Sequence, residues 1–71
     1  MKLLIVDDEI WSRQLIKKIV NWESYGIDEI LEASNGEEAI DKIEELNPEL
    51  VFLDIQMPGM TGFEVLEHLH L

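Results

Sequence analysis

The sequence predicts an α/β fold: a parallel three-stranded sheet of order 2-1-3 with helices on both faces. Two short apolar runs, Leu3 to Val6 and Leu50 to Leu53, are rich in branched residues and too short for helices. Runs of that kind fit strands buried on both faces. Amphipathic patterns of helical period lie between and after them, and strands alternating with helices imply a parallel sheet with helices flanking it. The 71 residues amount to one domain at most.

Each element follows in chain order. Leu3–Val6 is the first strand. In IWSRQLIKKIVNW, Trp11, Leu15, Ile19 and Trp22 recur at helical spacing with Arg13, Lys17 and Lys18 on other faces, so a first helix is expected there, stopped by Gly26. DEILEA carries a short strand around Ile30 and Leu31. In SNGEEAIDKIEELNP, Ala39, Ile40, Ile43 and Leu46 share a face, Asn35 and Glu38 resemble a capping box, and Pro48 ends the helix. Leu50–Leu53 is the third strand, and MPGMTG is a turn. Thr61 and Glu64 then cap a third helix whose apolar stripe is Phe63, Leu66 and Leu69.

Composition narrows the function. Sixteen acids against five bases give a net charge of −11, which repels nucleic acid and anionic membranes and draws cations. The absence of cysteine excludes disulfides and thiolate metal sites. MKLLIVDD meets two acids after only four apolar residues, unlike a signal peptide, and no stretch approaches a membrane span. The expected compartment is cytoplasmic.

The chemistry concentrates on three acids. Right-handed crossovers favour an order in which the first strand lies between the second and third, so that the sheet reverses its winding between strands one and three. Ligands bind beyond the carboxyl ends of strands at such a point. Asp7 and Asp8 follow the first strand and Asp54 follows the third, which brings three carboxylates to one sheet edge. Hard oxygen donors in so small a number suit Mg²⁺, or Mn²⁺ in its place, bound weakly. Asp54, the lone acid on its strand, is the candidate nucleophile toward a phosphoryl group, with Asp7 and Asp8 as metal ligands. A phosphatase would want a second acid two residues after Asp54, where Gln56 stands, so a phosphoacceptor rather than an enzyme is expected. His68 and His70 do not share a helix face and are expected at a solvated helix end.

LLIVDDE, EASNGEEAI and PELVFLDIQMPGMTGFEVL, with their spacing, resemble the receiver domain of two-component response regulators across essentially the whole chain. The resemblance implies half of a flavodoxin-like, doubly wound fold. It makes Asp54 the phosphoacceptor, with Asp8 and Asp54 direct Mg²⁺ ligands, Asp7 a ligand through water, and the main-chain carbonyl of Gln56 a further ligand. It gives Pro58 and Gly62 the shaping of the loop after the third strand. NWESYGI is also similar to receivers attached to AraC-type DNA-binding domains.

Receivers have five strands and five helices, and these 71 residues reach the third helix. The phosphate-holding Ser or Thr of a fourth strand and the Lys of a fifth are not among them. The resemblance therefore implies a histidine kinase as partner of a parent protein and a truncated half-domain incompetent in signalling; the alternatives are a fragment that still binds Mg²⁺ and accepts phosphate at Asp54, or an engineered structural building block without biochemical activity. The apolar third strand is expected to pair with a second copy about a two-fold axis, making a homodimer with a sheet of order 2-1-3-3′-1′-2′.

Overall fold

A computed structural model describes residues 1–69. The elements are β1 (Lys2–Val6), α1 (Ile10–Ile19), a 3₁₀ turn (Trp22–Tyr25), β2 (Glu29–Ala33), α2 (Gly36–Leu46), β3 (Leu50–Leu53) and α3 (Gly62–His68). The sheet is parallel throughout in the order β2-β1-β3, as expected. Leu4 stands opposite Leu31 and Val51, and Val6 opposite Ala33 and Leu53. Among the described residues no helix is long and apolar enough to cross a membrane.

The centre of the molecule is β1, whose Leu3, Leu4, Ile5 and Val6 are fully buried. Alternation along the strand sends them to two cores. Leu4 and Val6 pack with Ala33, Ala39, Ile40, Met57 and Val65 beneath α2 and α3. Leu3 and Ile5 pack with Ile27, Ile16, Trp22 and Ile30 beneath α1.

The structure corrects three expectations. The first helix ends at Ile19, and Trp22 belongs to the separate 3₁₀ turn that Gly26 closes with φ of 84°. The apolar stripe of α1, Trp11, Leu15 and Ile19, is 82%, 58% and 66% exposed. Arg13 and Lys17 pair with Glu32 of β2 at 2.9 and 2.5 Å. Ile16 packs inward on the core, and the flank bearing Trp11, Leu15 and Ile19 turns outward.

In α3, Phe63 and Leu66 are exposed, while Val65 is buried and Leu69 packs against the core. A seven-residue helix presents alternative stripes at spacings of three and four, and its start decides between them. Finally, β3 is not buried on both faces. Leu50 and Phe52 are about half exposed because no described element covers them, while Val51 and Leu53 are partly buried beneath α3. His68 lies exposed at the end of α3, and His70 lies outside the described residues.

Candidate functional site

The carboxyl edge of the sheet is built by continuing the ladder past the strands. The Asp7 amide donates to the Ala33 carbonyl at 3.1 Å, and the Asp54 amide donates to the Val6 carbonyl at 2.9 Å. Both residues are thereby fixed where β1 and β3 end side by side. Each then bends the chain away: the Asp7 carboxylate accepts the Glu9 amide at 2.9 Å, and the Asp54 carboxylate accepts the Gln56 amide at 3.1 Å. Such Asx turns leave the remaining carboxylate oxygens free for a ligand.

One oxygen from each of Asp7, Asp8 and Asp54 lies within 4.8 Å of the others. Asp8 is exposed and the other two are half-buried, so the cluster opens to solvent. Among the described residues, no lysine or arginine forms an ion pair with any of the three. Three mutually repelling carboxylates with hard oxygen donors and an open face fit a small divalent cation that keeps part of its water shell.

Arg13 supports the cluster from behind. Its Nη1 donates to the Asp7 carbonyl at 2.7 Å, and its Nε donates to Glu32 at 2.9 Å. Arg13 is therefore a positioning residue that the sequence did not single out. The Lys17 ammonium beside Glu32, together with Arg13, holds that carboxyl below the usual glutamate range.

The loop after β3 is held at several points. Met57 is buried in the core beneath α2 and α3. Pro58 precedes Gly59, whose φ of 83° is the left-handed conformation that a type II Pro-Gly turn requires at its third position. Gly62 is where α3 presses on the backbone of the site: a Cβ there would lie 2.6 Å from the Asp54 carbonyl oxygen and 2.9 Å from the Ile55 Cα. Its amide donates to the Ile55 carbonyl at 2.9 Å.

Gly36 was missed. A Cβ on it would meet Met60 at 2.7 Å, so its bareness lets the loop after Asp54 lean on the first turn of α2.

Over residues 3–71 the chain matches the response regulator receiver domain. It is 47% identical over 66 residues to the chemotaxis protein CheY of Listeria monocytogenes, covering 93% of this chain and 54% of that protein. Among solved structures, a two-component transcriptional regulator AraC from Clostridium phytofermentans superposes with a TM-score of 0.88 at 32% identity. That match covers 96% of this chain and 55% of the other. The response regulator TrrA of Thermotoga maritima, in complex with Mg²⁺ and BeF, superposes with a TM-score of 0.82 at 43% identity, over 97% of this chain and 57% of the other. The chain thus spans about half the length of these relatives.

Proposed function

The chain belongs to the response regulator receiver domain family, and on that premise we propose that Asp54 accepts a phosphoryl group in two-component signalling. The observation that carries this reading is the convergence of Asp7, Asp8 and Asp54 within 4.8 Å at the carboxyl edge of neighbouring strands. One carboxylate oxygen of Asp54 attacks phosphorus and forms the new P–O bond of an acyl phosphate. The bond to the donor breaks, and its electron pair leaves with the imidazole of a phosphohistidine on a histidine kinase, or with the carboxylate of a small acyl phosphate.

Asp7, Asp8, Asp54 and the main-chain carbonyl of Gln56 are the groups that would hold Mg²⁺ or Mn²⁺. When bound, the ion supplies neutralisation of the phosphoryl oxygens during transfer. The solved relative in complex with Mg²⁺ and BeF supports the same donor chemistry here. Arg13 keeps Asp7 at the sheet edge, and Gly62 lets α3 approach Asp54 closely.

Transfer to this 71-residue chain is slow. Among the described residues no cationic side chain pairs with the acid cluster, and one missing donor to developing charge commonly costs about 10²–10³ in rate. Incubation with acetyl phosphate and Mg²⁺, read by intact mass, tests both statements. A single phosphoryl group should accumulate slowly, should require the metal, and should vanish in Asp54→Asn. Modification that survives Asp54→Asn would move the acceptor elsewhere. Broadening by Mn²⁺ of the NMR signals around Asp7, Asp8 and Asp54 checks the metal separately, and an unchanged pattern in Asp8→Ala would dismiss the ligand set.

A further inference from the structure

Two of the three site acids, Asp7 and Asp8, are joined by a single peptide unit. That unit is planar, so the direction in which it is held sets ψ of Asp7 and φ of Asp8 together, and with them the aim of both carboxylates. Its carbonyl, that of Asp7, accepts from Arg13 Nη1 at 2.7 Å, and among the described residues no backbone amide donates to it. On the other side of the same residue, the Asp7 amide is held by the Ala33 carbonyl at 3.1 Å. The peptide plane between two candidate metal ligands thus takes its orientation from one guanidinium.

That guanidinium is itself held. The Arg13 side chain is 13% exposed, and its Nε donates to Glu32 at 2.9 Å. Glu32 stands opposite Ile5 in the ladder, one residue before Ala33, and its second oxygen takes the Lys17 ammonium at 2.5 Å. The Arg13 fork therefore spans from a strand carboxylate to the main chain of the site, which a single ammonium does not duplicate. Charge makes this placement informative. Three neighbouring carboxylates attract any mobile cation nearby, yet Arg13 and Lys17 pair with Glu32 instead. Arg13 is kept turned to the main chain, and the open face of the cluster is left to a metal ion.

We propose that Glu32, which makes no hydrogen bond or ion pair with the three acids, sets their cation affinity through Arg13. The proposal rests on the reading of Asp7, Asp8 and Asp54 as the Mg²⁺ site and names the positioning device behind it. Arg13 and Glu32 act as one unit. Without Glu32 the guanidinium loses its anchor, and without Arg13 the Asp7–Asp8 peptide is free to turn. Charge alone requires the reverse for Arg13: removing a positive group from beside three carboxylates strengthens their hold on a divalent cation. The sign of the effect therefore separates positioning from simple electrostatics.

Binding of Mn²⁺ to the 71-residue chain, followed by broadening of the amide signals around Asp7, Asp8 and Asp54, provides the test. Arg13→Gln and Glu32→Gln should each weaken Mn²⁺ binding about tenfold. The double variant should be no weaker than Arg13→Gln alone, because members of one network do not add. Arg13→Lys keeps the charge but not the fork, and should bind as weakly as Arg13→Gln. Tighter or unchanged binding in Arg13→Gln, parental affinity in Arg13→Lys, or a double variant weakened by the product of both single effects would each overturn the proposal.

Should a variant fail to fold, the parent chain decides. Coupling is reciprocal, so Mg²⁺ should slow hydrogen exchange at Arg13 Nε, and exchange indifferent to Mg²⁺ would overturn the proposal. Broadening in the parent that avoids Asp7, Asp8 and Asp54 would dismiss the metal site and this proposal with it. Broadening confined to those three residues, with Arg13→Gln and Glu32→Gln binding as the parent does, would dismiss the Arg13–Glu32 unit alone.

Discussion

Glu32 gathers Arg13 and Lys17 onto β2, and through Arg13 it reaches the main chain of Asp7. Glu32 is 29% exposed, which leaves the pairing partly screened by water. Because Lys17 and Arg13 lower the Glu32 pKa, the pairing stabilises the fold in full above the ordinary glutamate range. It is lost as pH falls through the lowered value, where the folded chain takes up the proton. Glu32→Gln should therefore reduce stability at neutral pH by on the order of 1 kcal/mol, and the loss should shrink as the parent is acidified. Urea unfolding of both proteins across an acid pH series checks this. A deficit that stays constant to the lowest pH would assign the effect to packing instead.

At the scale of elements, the two capped helices differ in how far they depend on their caps. Asn35 accepts the Glu38 amide at 2.8 Å at the start of the eleven-residue α2, and Thr61 accepts the Glu64 amide at 3.3 Å at the start of the seven-residue α3. Thr61→Ala should cost about 1 kcal/mol. In so short a helix that loss should appear as faster exchange confined to α3, with α2 unchanged, and uniform acceleration across both helices would contradict it. These caps were legible in the sequence because a cap is a relation between residues three apart. The strand order and the meeting of Asp7, Asp8 and Asp54 were legible as well, since crossover handedness leaves few arrangements. The end of α1 was not: Trp22 continues the apolar spacing of the helix, yet it belongs to the separate 3₁₀ turn that Gly26 closes. The half-exposure of Leu50 and Phe52 escaped notice because apolar content says nothing of what lies over a strand. The close approach of Gly36 to Met60 joins residues far apart in the chain and leaves no local pattern.

Across the whole molecule, sixteen acids and five bases share a body of 32 × 24 × 15 Å, so like charges are crowded well within a Debye length at low salt. Monovalent salt should raise the thermal midpoint at fixed protein concentration, each kcal/mol of relieved repulsion corresponding to about 4–8 °C. A scan by circular dichroism at low and moderate salt measures it, and a flat response would mean that local pairings already neutralise the field. The two tryptophans differ in environment. Trp11 stands bare three residues after Asp8, while Trp22 is half-buried and donates its indole hydrogen to the Ile16 carbonyl at 3.0 Å. Their light is therefore separable: Trp11 emits as a solvated indole open to collisional quenchers, and Trp22 emits further to the blue from beside the core. One cuvette can thus report a cation arriving at the acid edge through the first colour and loss of the α1 core through the second.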